Sequence, residues 1–131
     1  MKKDIQIPEV EGVHVAVVNE YNDIYKTQDW NAYIINDKDV DLEVVLIVTS
    51  GYSDKKMTSI FRKKLDALPK KSYAKIELMQ EELFALNNEF RVTFFVGNTM
   101  YEKTYLFRKN TINEKALQTI PLMTVKGVLV K

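Results

Sequence analysis

The chain has 131 residues, of which 46% are hydrophobic, and it contains no cysteine and carries a formal net charge of +1. This size predicts one domain, residues 1–131, that buries its core without metal or disulfide support. The missing cysteines exclude disulfides, thiolate metal sites and a cysteine nucleophile. No segment approaches the roughly 18 apolar residues of a membrane helix, so we expect a cytoplasmic protein with no membrane partner.

The first predicted elements are an extended segment and a strand. Residues 1–12 are expected to form an extended lead-in, because a proline and a glycine interrupt them. Residues 13–18, VHVAVV, place alternate valines on one face, which predicts a strand. Residues 19–29 are polar and aromatic without a clear period, and we expect a connection there.

The strongest β signal lies in residues 30–52. Residues 32–35 have no polar break, and residues 42–48 have apolar side chains at both positions of a two-residue period, as in strands that are buried on both sides. The intervening residues 36–41, NDKDVD, favour a turn. We therefore predict a central antiparallel hairpin. Its second strand would divide its side chains between one face with Leu42, Val44, Leu46 and Val48 and another with Val45 and Ile47.

Residues 57–68 allow two interpretations. Their apolar stripe fits a helix, whereas a strand over residues 58–64 would lead into a turn at residues 68–71 that contains Pro69. We favour the strand, because residues 72–79 also show strand alternation. In that alternation Ala74, Ile76 and Leu78 would point inward and Lys75 and Glu77 outward.

The second half of the chain adds another hairpin. Residues 81–88 are expected to be a connection with a helical turn, and residues 90–96 and 100–107 form a hairpin around the turn residues Gly97 and Asn98. A short helix over residues 113–117 and an edge strand over 122–130 would follow. About seven strands with short helices predict a mostly β fold, a single antiparallel, immunoglobulin-like β-sandwich.

Two patterns could carry chemistry, and for each a structural role is the better interpretation. His14 is the single histidine and lies among valines, and no G-x-S-x-G motif accompanies it. Asp37, Asp39 and Asp41 are spaced like the start of a calcium loop, but Leu42 and Val48 stand where its glycine and glutamate belong. No glycine-rich phosphate motif occurs. We predict no catalytic residue, no metal ligand and no cofactor.

Basic residues are concentrated in the middle of the chain. Residues 55–75 contain eight basic and one acidic side chain, whereas residues 1–54 contain four basic and eleven acidic. The predicted binding surface, called the basic island below, comprises Lys55, Lys56, Arg62, Lys63, Lys64, Lys70, Lys71 and Lys75 with the aromatics Tyr52 and Tyr73. Basic residues among aromatics are typical of single-stranded nucleic-acid binding. Alternatively, these lysines protect a solvated edge strand, or they meet the acidic half within the fold or across a homodimer.

Three motifs carry a family resemblance. The motifs are W-x-A-Y-I-I-N-D at residues 30–37, L-x-x-L-P-x-x-S at 65–72 and N-E-F-R-V-T-F-F at 88–95. With them the chain resembles short bacterial proteins labelled "phenylalanyl-tRNA synthetase subunit alpha", and the first motif is loosely similar to a β-sandwich domain found beside Smr-type nuclease domains. The resemblance covers nearly the whole chain and would imply an aminoacyl-tRNA ligase subunit. It identifies no catalytic residue, since these motifs have no known chemical role.

The function predicted from these observations is that of a non-enzymatic β-sandwich module that binds another protein. The first alternative is a module for single-stranded nucleic acid or tRNA that uses the basic island. The second alternative is the ligase subunit implied by the resemblance.

Overall fold

The structure is a computed structural model, and it describes residues 8–130. The predicted lead-in therefore lies mostly outside the described residues. The strands are β1 (Val13–Asn22), β2 (Thr27–Asn36), β3 (Leu42–Tyr52), β4 (Phe61–Leu68), β5 (Ser72–Met79), β6 (Asn87–Val96), β7 (Thr99–Phe107), β8 (Gln118–Thr119) and β9 (Lys126–Val130). Two 3-10 helices, Glu81–Ala85 and Glu114–Ala116, lie between strands.

The strands form two antiparallel sheets, which confirms the predicted mostly β sandwich. The first sheet has the order β5-β2-β1-β9-β8 and the second has the order β4-β3-β6-β7. The arrangement of β1-β2-β5 and β4-β3-β6-β7 in separate sheets follows the A-B-E and C′-C-F-G order of immunoglobulin-like sandwiches. The described chain has nine strands rather than about seven, and the short β8, which was not predicted, pairs with β9 at the edge of the first sheet.

The main core lies between the sheets, and alternate residues of β1, β6 and β7 point into it. Val13, Val15 and Val17 of β1 are buried there, as are alternate residues of β6 from Phe90 to Phe94. Tyr105 of β7 is fully buried, and its hydroxyl donates a hydrogen bond to the Val13 carbonyl. The two sheets are thus joined by both apolar packing and a buried polar contact.

The predicted central hairpin is wrong, because β2 and β3 belong to different sheets. Residues 19–29 are not a loose connection: they complete β1, make a tight turn and begin β2, so β1 and β2 pair along ten residues. The chain then crosses to the second sheet. The buried Asn36 amide fixes this crossing by donating hydrogen bonds to the carbonyls of Val40 and Leu68.

The predicted faces of β3 are also wrong. Leu42, Val45 and Ile47 all reach the core, whereas Val44 and Leu46 are exposed. The alternation changes at Val44, which has a φ of 48°, and the register with β6 shifts between Glu43 and Leu46. An irregularity of this kind changes which side chains face the core.

Several local predictions are confirmed. Residues 61–68 are a strand, although it begins three residues later than predicted, and a turn follows at Pro69. The β6-β7 hairpin turns at Gly97 and Asn98. The Asn113 side chain caps the second 3-10 helix by accepting a hydrogen bond from the Lys115 amide.

The end of the described chain packs on the outer face of the first sheet. Ile120, Met123 and Leu129 lie against Ala16 and residues near it in a second, smaller apolar cluster. The strand predicted over residues 122–130 is therefore not an edge: β9 lies between β1 and β8. No helix within residues 8–130 is long and apolar enough to cross a membrane.

Candidate binding surface

The structure divides the basic island between several elements. Lys55 and Lys56 lie in the connection before β4, Lys70 and Lys71 lie in the turn after it, and Lys75 lies on β5 in the other sheet. β4 itself carries Arg62, Lys63 and Lys64. Among the described strands β4 and β5 are the edges of their sheets, and a short turn joins them, so the island follows one side of the sandwich.

Part of the island meets the acidic half of the chain within the fold. Lys71 Nζ lies 3.1 Å from Asp37 Oδ1 and 4.0 Å from Asp39 Oδ1. The Lys70 backbone amide donates a hydrogen bond of 2.8 Å to Asp41 Oδ1. The three aspartates thus contact the β4-β5 turn, and the charge of Lys71 is balanced locally.

The aromatics assigned to the island do not share a surface. Tyr73 is exposed on the outer face of the first sheet, where its ring contacts Tyr33 edge to face at 5.7 Å. Tyr52 is half-buried at the end of β3 in the second sheet. Consecutive bases could therefore not stack on these two rings as neighbours.

The outer face of the second sheet carries exposed apolar side chains. Val44 is 49% exposed, Leu46 is 39% exposed and Met100 on β7 is 47% exposed. Val48 is partly exposed on the same face of β3 as Leu46. The described chain covers the central strands of the first sheet on their outer face, although Tyr73 and Leu78 stay exposed on the edge strand β5. It leaves the apolar side chains of the second sheet accessible.

Basic side chains flank the centre of this apolar face. In the β3 register Val48 lies opposite Arg62 on one side and Arg91 on the other. Two residues earlier on β3, Leu46 lies opposite Lys64 of β4. We call Leu46, Val48, Arg62, Lys64 and Arg91 the open-face patch. Acidic side chains lie around it on the same sheet, at Glu43, Asp66, Glu89 and Glu102.

Arg62 and Lys64 of this patch belong to the basic island predicted from the sequence, whereas its apolar residues and Arg91 were not predicted as binding residues. Leu46 and Val48 were predicted to be core residues, because a regular two-residue alternation through Val44 places them on the same face as Leu42. The register shift near Val44 turns them to the outer face instead. Arg91 lies outside the basic segment, and only the pairing of β3 with β6 brings it beside Val48.

The side-chain direction of Glu77 on β5 was also predicted wrongly from the sequence. The register between β2 and β5 shifts near Ala32, so Glu77 lies opposite Ala32, which faces the core, and Leu78 is exposed instead. The predicted inward Leu78 and outward Glu77 are therefore wrong. The Thr49 hydroxyl donates a hydrogen bond of 2.9 Å to Glu77 Oε2, and burial raises the pKa of this carboxyl above its ordinary 4.5.

Fold and surface together define an immunoglobulin-like β-sandwich in which the central strands of one sheet are covered on their outer face and those of the other sheet are open. Compared with known proteins, the chain matches no protein family, no curated protein and no solved structure.

Proposed function

We propose that this chain is a protein-binding module that docks its partner on the open-face patch. The observation that carries the proposal is the difference between the centres of the two outer faces: apolar side chains of β1 and β2 are packed in a cluster on the first sheet, whereas Leu46 of the central strand β3 is exposed on the second. Exposed apolar residues with a polar rim are typical of protein interaction sites.

The charges indicate the chemistry of the partner. Arg62, Lys64 and Arg91 surround Leu46 and Val48, so a complementary surface has an apolar centre and carboxylates beside it. Pairing two copies through β4 would bring Arg62, Lys63 and Lys64 against like charges, which is unfavourable. These charges favour a different protein, which places carboxylates beside Arg62 and Arg91, over a second copy joined through this edge.

The size of the face indicates the strength of binding. Four strands about 4.8 Å apart, with about eight residues each at roughly 3.3 Å per residue, present about 500 Å². A standard interface covers roughly 800 Å² per partner. The face by itself therefore supports a transient complex, and a tighter one would also use the edge of β4.

Site-specific photo-crosslinking in the native cells tests the proposal. A photoreactive amino acid replaces Leu46, and in a control it replaces Ile24, which is exposed in the β1-β2 turn away from the patch. We expect a discrete protein adduct from position 46 and not from position 24. The double variant Arg62→Glu/Arg91→Glu should abolish that adduct, whereas Lys109→Glu, outside the patch, should leave it.

Two results would overturn the proposal. One is the same adducts from positions 46 and 24. The other is an adduct at position 46 that nuclease removes, which would support nucleic-acid binding instead. In that case the affinity would also fall steeply with salt, because neutralised phosphates release counterions.

A further inference from the structure

A cavity opens between the two sheets on the side where β4 and β5 are the edges. Its volume is about 180 Å³, and β3, β4, β5, β6, the first 3-10 helix and residues 58–59 line it. Pockets for drug-sized ligands have volumes of roughly 300–1,000 Å³. This cavity therefore fits a group the size of a side chain rather than a nucleotide or another large cofactor.

Most of the polar residues that line the cavity carry hydroxyl or carboxylate groups. Thr49 and Glu77, which are joined by a hydrogen bond, line it from the core-facing sides of their strands, and Ser50, Thr58, Ser59 and Glu89 are also among its lining residues. Among the described residues that line the cavity, none is a lysine, arginine or histidine. Phe61 lies at the rim, where its ring is partly exposed.

Glu77 lies on the core-facing side of β5 and lines this cavity. In residues 8–130 no lysine or arginine nitrogen lies within 4.0 Å of it, and Thr49 is its hydrogen-bond partner. A carboxylate that loses water without gaining a counter-ion is unfavourable, which is why burial raises its pKa. A cation in the cavity would supply the missing charge.

We propose that this cavity binds a primary ammonium group on a short aliphatic stem, with Glu77 as its counter-ion. An ammonium group donates three hydrogen bonds, and here the Glu77 carboxylate and the threonine and serine hydroxyls accept them. The apolar stem contacts Met79 and Leu83, and the Phe61 ring is suited to a cation at the rim. A divalent metal ion is a poorer fit, because no cluster of three metal-ligating side chains occurs in the described residues.

The ammonium group has two possible sources, a small free amine or the lysine side chain of a partner protein. The cavity lies between the sheets and does not use the open-face patch. Failure of this proposal would therefore leave the protein-binding proposal intact, and the reverse also holds.

Two-dimensional ¹H–¹⁵N NMR titration of the full chain tests the inference. The probes are n-butylammonium, N-acetyl-lysine methylamide and, as a neutral control, 1-butanol, all at constant ionic strength. We expect saturable shifts of the Thr49, Ser59 and Glu77 amides with the two ammonium probes. Tighter binding of n-butylammonium would identify a free amine as the source of the ammonium group. Tighter binding of the lysine derivative would identify a lysine side chain of a partner protein as the source.

Matched variants separate binding from folding. Glu77→Gln keeps the shape of the side chain and should bind roughly tenfold more weakly, because a hydrogen bond to a charged group is lost. Glu43→Gln, on the outer face, should bind like the unmodified chain, and Ser59→Leu should block the rim. The same spectra report whether each variant is folded. Unchanged affinity in Glu77→Gln, equal shifts with 1-butanol, or equal shifts with magnesium chloride would overturn the inference.

Discussion

Replacing Trp30 by alanine should reduce the free energy of unfolding by about 3–5 kcal/mol, the usual cost of removing a buried tryptophan side chain. Trp30 is 6% exposed, and its ring meets Phe84 edge to face with centroids 5.5 Å apart. That aromatic pair contributes about 0.5–1.5 kcal/mol of the loss. For a chain of this length 1 kcal/mol corresponds to roughly 3–5 °C, so the melting temperature should fall by roughly 10–25 °C.

Urea denaturation followed by far-UV circular dichroism is the appropriate assay, because Trp30 is the single tryptophan and its fluorescence disappears with it. Phe84→Ala and the double variant complete a mutant cycle that isolates the ring contact. Tyr25→Ala serves as the control: Tyr25 is exposed, and its loss should change stability by less than about 0.5 kcal/mol. A loss below about 1 kcal/mol for Trp30→Ala would refute the placement of this ring in the core.

Three other variants test other parts of the fold. Tyr105→Phe removes the hydrogen bond to the Val13 carbonyl and should cost about 1–2 kcal/mol in urea denaturation, whereas equal stability would mean that the bond contributes nothing. Gly127→Ala would place a Cβ 2.7 Å from the Val17 carbonyl oxygen, so hydrogen exchange at the β1-β9 pairing should accelerate, and unchanged protection would contradict this contact. Glu77→Gln should be more stable than the unmodified chain at pH 7, because ionisation of a carboxyl with a raised folded-state pKa opposes folding. This advantage should shrink as the pH falls toward 4.5, where Glu77 itself becomes neutral, and a constant difference between the two pH values would contradict the burial of Glu77.

Local patterns in the sequence predicted most of the strands, because strand formation follows the alternation of apolar residues and the position of turn residues. The alternation of Val13, Val15 and Val17 and the turn at Gly97 and Asn98 illustrate this, and both are confirmed. The sandwich class followed from the number and spacing of such strands.

Strand pairing could not be predicted in the same way, because it depends on contacts distant in sequence. The turn-forming residues 36–41 are compatible with a hairpin or with a crossing between sheets, and local signals do not distinguish the two. The crossing is fixed in part by the hydrogen bond from Asn36 to Leu68, a residue 32 positions away. For the same reason the open-face patch could not be predicted, since Arg91 and Val48 become neighbours only through the pairing of β3 with β6.

Register irregularities account for the errors in side-chain direction. One lies near Val44 in β3 and the other near Glu77 in β5. At each of them the sequence is still typical of a strand, but the register shift changes which residues face the core. Both candidate sites depend on these two irregularities, since one exposes Leu46 and the other turns Glu77 inward.

The position of β9 beside β1 also has a consequence for the order of folding. Residues 15–18 pair with residues 127–130, so this ladder closes a loop of more than one hundred residues. Closing such a loop costs conformational entropy, which slows folding. Folds rich in long-range pairing acquire their native structure in milliseconds to seconds. Until β9 docks, the valine-rich β1 is an open edge to which another nascent chain can add a strand. The rate at which β9 docks should therefore set how much of the refolding chain escapes aggregation.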